Sequence, residues 1–159
     1  MERIGLGCDD VGFAMKEKVK GYLQSRGIPV QDMGRYQETD AESYADIAEK
    51  LCEAIQEGKF SRGILICGTG LGMSMAANKC YGIRAAVCSD TYSAERATKS
   101  NQANVLCFGS RVVGFELAQK LIDAWYDSSF DENSPSYPKV RKLYSLDERH
   151  LKRPEVNHI

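Results

Sequence analysis

Histidine is nearly missing from this 159-residue chain. There are two, His150 and His158, and both fall in the last ten residues. Proton transfer in the body of the domain must therefore rely on a carboxylate, a thiolate, a lysine or a tyrosine. Net charge is also scarce: 21 lysines and arginines against 22 acidic residues leave −1 at pH 7. That balance gives no electrostatic basis for a nucleic-acid or anionic-membrane partner. No apolar run approaches the roughly 20 residues that span a bilayer. Met1-Glu2-Arg3-Ile4 opens straight into a strand-like segment with no signal-peptide core, so the cytoplasm is the expected compartment. The six cysteines, Cys8, Cys52, Cys67, Cys80, Cys88 and Cys107, contain no C-x-x-C pair. Ligand spacing for zinc is lacking, and no metal or other cofactor is expected. In a reducing compartment most of these thiols are small buried hydrophobes.

What the chain does contain is an alternation. Apolar, strand-like runs fall at 3–8, 28–33, 63–67, 83–88 and 104–108. Between and after them, helical spacing of apolar residues marks 12–26, 44–57, 72–78, 93–100, 114–127 and a last helix near 139–149. Short apolar strands alternating with helices predict one α/β domain over 1–150: a doubly wound, Rossmann-like, five-stranded parallel sheet with helices on both faces. A polar tail over 151–159 is expected to fray. Sites in such folds lie beyond the carboxyl ends of the strands. Those ends are Cys8-Asp9-Asp10, Cys67-Gly68-Thr69-Gly70, Ser89-Asp90 and Gly109-Ser110-Arg111.

The run Ile64-Leu65-Ile66-Cys67-Gly68-Thr69-Gly70-Leu71-Gly72-Met73-Ser74 is the most informative of these. A strand ends in a thiol, three glycines follow at alternate positions, and a helix begins. Exposed backbone N–H groups and a helix start beside a sulfur suit an anion or a developing oxyanion, and favour the thiolate as nucleophile or carbon-acid base. A C-x-x-x-x-x-R phosphatase loop is excluded, because Met73 stands where the arginine belongs; a Walker loop lacks its Gly-Lys-Ser/Thr. The alternative is a buried strand-end cysteine. Asp9 and Asp10 read either as a helix N-cap or as a carboxylate facing substrate hydroxyls. Asn101, after Ser100, could be a helix C-cap. Arg111 is either a surface charge or an anion contact. Lys139 and Arg141 open the last helix and by default are solvated.

Cys67-Gly68-Thr69-Gly70-Leu71-Gly72-Met73-Ser74, Ala76-Ala77-Asn78-Lys79, Gly82-Ile83-Arg84-Ala85-Ala86 and Asn104 to Gly114, with Gly7-Cys8-Asp9 before them, resemble the ribose-5-phosphate isomerase B and galactose-6-phosphate isomerase family over about residues 3–145. The resemblance implies aldose–ketose isomerisation of a sugar phosphate through an enediolate, without metal, in a homodimer or tetramer whose sites lie between subunits. It implies Cys67 as the base, Thr69 in the catalytic loop, and Gly68, Gly70, Leu71 and Gly72 as the cradle of the enediolate oxygens. Asp9, Asn101 and Tyr44 would meet the sugar, and Arg111 its phosphate. Three departures from the family pattern stand out. Asp10 and Ser100 replace histidines, the second of them the ring opener, and two arginines before the last helix are missing, with Lys139 near one of their places. A tetrose 4-phosphate has its O4 esterified and cannot close a furanose ring, so its isomerase needs no ring opener. Segments 93–101 and 130–133 also look like the tetritol-catabolism branch. Erythrulose 4-phosphate to erythrose 4-phosphate is therefore the leading expectation. A ribose 5-phosphate/ribulose 5-phosphate isomerase and a non-catalytic sugar-phosphate-binding subunit are the alternatives.

Overall fold

A computed structural model describes residues 2–37 and 39–155. The end of the expected tail, 156–159 with its His158, lies outside the described residues. Five strands, β1 (Ile4–Cys8), β2 (Val30–Gly34), β3 (Arg62–Cys67), β4 (Ala85–Val87) and β5 (Val105–Gly109), form one parallel sheet in the order β2-β1-β3-β5-β4. Helices α1 (Phe13–Ser25), α2 (Tyr44–Gln56), α3 (Leu71–Ala77), α4 (Thr91–Asn101), α5 (Phe115–Tyr126) and α6 (Tyr137–His150) connect and follow them.

The alternation of side chains along each strand divides the core in two. Ile4, Leu6, Ile64, Ile66, Leu106 and Phe108 face α1, α4 and α5, where Val19, Leu23, Ala97, Leu121 and Trp125 cover them. Leu65, Cys67, Val105 and Cys107 face the opposite way, under Ile47 and Leu51 of α2 and Met73 and Ala77 of α3. The sole tryptophan, Trp125, is fully buried; its Nε1–H donates to the Ala103 carbonyl, and the Arg62 guanidinium stacks 3.9 Å above its ring. Helices on both faces of an all-parallel sheet are the architecture that the alternation predicted.

Several boundaries move for local reasons. The second strand begins at Val30 rather than 28, because the Ile28 N–H bonds back to the Leu23 carbonyl and Pro29 has no donor. The fourth helix starts two residues early, at Thr91, since Asp90 accepts the Ser93 N–H at 2.7 Å as its N-cap. Its C-cap is Gln102, in the left-handed region at φ 51°, and Asn101 is the last helical residue rather than the cap. The last helix starts at Tyr137 because Pro138 fits a first turn, where its missing N–H costs nothing. At the start of the tail, Arg153 bonds the Tyr81 hydroxyl at 2.8 Å.

Strand order sets the site. From β1 the chain passes to α1 on one face; from β3 it passes to α3 on the other; from β5 it returns to the first. The loop after β3 therefore parts from the loops on both sides of it. A crevice opens where such neighbours diverge.

Candidate active site

Three loops meet at that crevice and are stitched together by backbone bonds. The Asp9 N–H donates to the Ile66 carbonyl at 3.2 Å, Ser110 N–H to Cys67 at 2.8 Å, and Arg111 N–H to Gly68 at 3.0 Å. The Ser110 hydroxyl donates to the Val11 carbonyl at 3.0 Å. The β3 loop lies directly on the end of β5: a Cβ at Gly109 would stand 2.5 Å from Thr69 Cα and 2.6 Å from the Gly68 oxygen. Gly70 turns the chain into α3 at φ +82°, a conformation that L side chains rarely adopt, with Phe108 backbone 2.9 Å from where its Cβ would be.

Cys67 ends β3 with 5% of its surface exposed. Its sulfur accepts the Gly70 N–H at 3.0 Å, so the tight turn aims a main-chain donor at the thiol. Gly68, Thr69 and Gly72 keep N–H groups with no backbone acceptor among the described residues, and the Leu71 N–H is met only by the Thr69 hydroxyl at 3.3 Å. A set of donors around one sulfur suits an anion that develops there. The other strand cysteines differ. Burial pushes the Cys8 and Cys88 thiols up to about 11, and Cys107 well above the ordinary thiol range. They are core residues, buried in the packing of the strands.

Asp9 is nearly buried, and burial pushes its carboxyl above the ordinary carboxylate range, against the N–H groups of Gly12 and Val11 that favour the charged form. Its Oδ1 accepts the Gly12 N–H at 2.9 Å. The N-cap of α1 is Gly12 rather than Asp9 or Asp10; Asp9 instead holds the Gly12 N–H in the turn before the helix and borders the crevice. Tyr44, the first residue of α2, lays its ring over Gly72; a Cβ there would meet Tyr44 Cε2 at 2.9 Å. Arg111 borders the loop, with Nη1 3.7 Å from the Cβ position of Gly68. Cys67, Thr69, Gly68, Gly70, Leu71, Gly72, Asp9, Tyr44 and Arg111 are therefore brought together. Asp10 follows in the same turn with an exposed side chain, its Oδ1 3.8 Å from Arg35 Nη1.

Ser100, Asn101, Lys139 and Arg141 are not brought to Cys67 within one chain. Ser100 and Asn101 end α4 just before the amino end of β5, at the opposite end of the strands from Cys67. The Ser100 hydroxyl accepts from Arg96 Nε at 2.8 Å. Lys139 and Arg141 lie exposed on α6, which packs toward that same end through Tyr144, stacked on Arg84, and Asp147, bonded to the Gly82 N–H. A cavity of about 610 Å³ lined by Arg62, Arg84, Thr98 and Gln102 also lies there, away from Cys67. Arg35 was missed by sequence reasoning. It sits in a polar stretch that reads as loop, and only the β1–β2 pairing brings it beside Asp10.

Among the described residues no group of three or more His, Cys, Asp or Glu could hold a metal ion, and no helix is long and apolar enough to cross a membrane.

The chain is similar to known proteins along nearly its whole length. The model of the family described as Ribose/Galactose Isomerase matches residues 4–143. The chain is 47% identical over 152 residues to the D-erythrulose-4-phosphate isomerase of Pectobacterium atrosepticum, covering 94% of this chain and 99% of that one. It is 42% identical over 149 residues to ribose-5-phosphate isomerase B of Escherichia coli, with the same coverage. The solved ribose-5-phosphate isomerase B of Clostridium thermocellum superposes with a TM-score of 0.88 at 39% identity, over 93% of this chain and 99% of that one. A thiol at a strand end, a glycine turn that feeds it a donor, and a fold shared along nearly the whole length have one explanation: this chain belongs to the ribose/galactose isomerase family and is a sugar-phosphate isomerase.

Proposed function

We propose that this enzyme interconverts D-erythrulose 4-phosphate and D-erythrose 4-phosphate through an enediolate, with Cys67 as the carbon-acid base and no metal. The thiolate takes a proton from C1 of the ketose, and the electron pair moves into an enediolate. The proton returns to C2, while a hydroxyl proton passes from O1 to O2, so nothing is gained or lost overall. The backbone N–H groups of the Gly68–Gly72 loop stabilise the oxyanion where charge develops. The observation that carries this assignment is the Gly70 N–H 3.0 Å from the Cys67 sulfur, in a loop clamped on Gly109.

Two observations favour the open-chain tetrose. No histidine precedes His150, the last residue of α6, and Ser100 stands where the resemblance to the family expects the ring-opening histidine. The 47% identical relative bears the tetrose phosphate in its name. The 42% identical relative favours ribose 5-phosphate as the second substrate. Completion of the site by a second copy of this chain accounts for the distance between Cys67 and the set Ser100, Asn101, Lys139 and Arg141. It also gives a use to the exposed apolar residues Leu71, Met75, Tyr92 and Val112. Assay of both substrate pairs with the protein stripped by chelator tests the proposal. The expected result is full activity without metal and a kcat/KM at least tenfold higher on the tetrose phosphate. Higher turnover on ribose 5-phosphate would reassign the substrate. Solvent deuterium at C2 of the recovered aldose phosphate would support the enediolate, and absence of turnover on both substrate pairs would overturn the proposal.

A further inference from the structure

Arg35 is an unusual cation for the edge of a crevice. It follows β2 with only 8% of its surface exposed, and it is held at three points. Its N–H donates to the Cys8 carbonyl at 3.1 Å, its Nε to the Gln37 carbonyl at 3.1 Å, and its own carbonyl accepts from the buried Lys16 ammonium. The neighbouring cations are already matched: Lys16 and Lys20 share Asp32 and Glu17 at 2.8–3.2 Å. Arg35 is not. Among the described residues, the one carboxylate within ion-pair reach is Asp10, at 3.8 Å, and the Asp10 side chain is 68% exposed. A guanidinium out of water with a loose, solvated counter-ion is left short of a partner.

The direction of the side chain matters. Asp10 lies in the turn that follows β1, the strand between β2 and β3, so the Arg35 guanidinium comes within 3.8 Å of that turn. Two strand spacings, roughly 10 Å, separate the end of β2 from that of β3, where Cys67 sits. A short phosphorylated chain is of the same order of length as that span. A planar fork with free donors matches a phosphate better than a lone carboxylate oxygen does.

We propose that Arg35 is a substrate-binding residue that receives the phosphate of the bound sugar phosphate, and that Asp10 is the internal carboxylate which the phosphate displaces from it. This rests on the isomerase assignment above and adds to it a fixed anion contact on the β2 side of the crevice, opposite Arg111. The guanidinium is immobilised before substrate arrives, so little ordering is lost on binding. Asp10 keeps the cation partly neutralised in the free enzyme and limits how tightly an anion binds.

The two partners should act with opposite sign. Inorganic phosphate is the probe, titrated into the intact protein by calorimetry, beside steady-state kinetics with erythrulose 4-phosphate. Arg35→Gln is expected to weaken phosphate at least tenfold and to raise KM by a similar factor, with kcat within about threefold; Arg35→Lys should recover part of both. Asp10→Asn is expected to tighten phosphate severalfold. A merely structural ion pair would lower the melting temperature in both variants and leave phosphate affinity alone, and that outcome overturns the proposal. Weakening by Asp10→Asn overturns it too, and that variant removes no buried group, so it remains informative if Arg35→Gln fails to fold. If no sugar phosphate is turned over yet phosphate affinity still follows this pattern, the isomerase assignment fails while the anion contact stands.

Discussion

At the scale of single residues, the proposed chemistry divides between a sulfur and a carboxylate that are buried for different reasons. Cys67 is covered because β3 ends in the core, yet the Gly70 N–H reaches its sulfur. Cys67→Ala should leave the fold intact and lower kcat by at least about 10³-fold; Cys67→Ser should rescue little, since an alkoxide forms far less readily than a thiolate. Full activity in the alanine variant, measured beside an unchanged circular dichroism spectrum, would reassign the base. Asp9 is covered because its carboxylate ties down the start of α1. Its raised folded pKa means that the native state holds a proton the unfolded chain releases. The associated stability is present at low pH and is lost as pH rises through the folded value. Asp9→Asn, which still accepts the Gly12 N–H, should therefore melt higher than the wild type at pH 7. That gain should shrink as pH falls toward the ordinary carboxylate range, while activity drops about 100-fold or more. A variant that melts lower at pH 7 would contradict the assigned cost. The thiol motif is legible in the sequence because a strand end, three glycines and a helix start are contiguous. The Arg35–Asp10 pair is not, because 25 positions separate its members and only sheet pairing joins them.

At the scale of elements, the glycine turn works because β5 leaves it room. Gly109 has a neighbour's backbone on top of it, so the clash cannot be relieved by a side-chain rotation. Gly109→Ala should lift Thr69 and Gly68 off the sheet, cost about 1–3 kcal/mol of stability, and lower activity more than the stability loss explains. Urea unfolding beside kcat/KM measures both; an active variant of wild-type stability would show that the turn does not depend on this seat. Strand and helix existence was legible from hydrophobic period, because each helix presents an apolar stripe and the three central strands are covered on both faces. The limits of elements were less so. Pro29, Asp90 and Pro138 act through single hydrogen bonds, gained or missing, that a periodicity does not register. The insertion of β5 between β3 and β4 was not legible either, since it depends on packing between distant segments.

At the scale of the whole molecule, one chain holds two half-sets of candidate site residues at opposite ends of its sheet. Cys67 and its loop lie at the carboxyl ends of the strands; Asn101 ends a helix of 11 residues that runs to the other end. If the second half-set comes from another copy, two inactive variants should complement. Cys67→Ala and Asn101→Ala, each nearly inert alone, should regain up to about a quarter of wild-type activity when unfolded together and refolded as an equimolar mixture, because half of the dimers then pair unlike chains and each has one intact site. Mixing without recovery, with subunit exchange verified by mass, would place both half-sets in separate roles. Sequence spacing holds no trace of this division, since it says which residues occur and not which end of the sheet they reach.

The burial of Trp125 has a practical corollary. The only indole of the protein is sandwiched between Arg62 and the core, at the amino end of the sheet, with its N–H committed to Ala103. Its emission should be blue-shifted and silent toward ligands at the crevice, and should redden only when the hydrophobic layer itself comes apart. Intrinsic fluorescence is thus a clean gauge of unfolding for every variant above, while occupancy of the catalytic cleft calls for calorimetry or an introduced fluorophore.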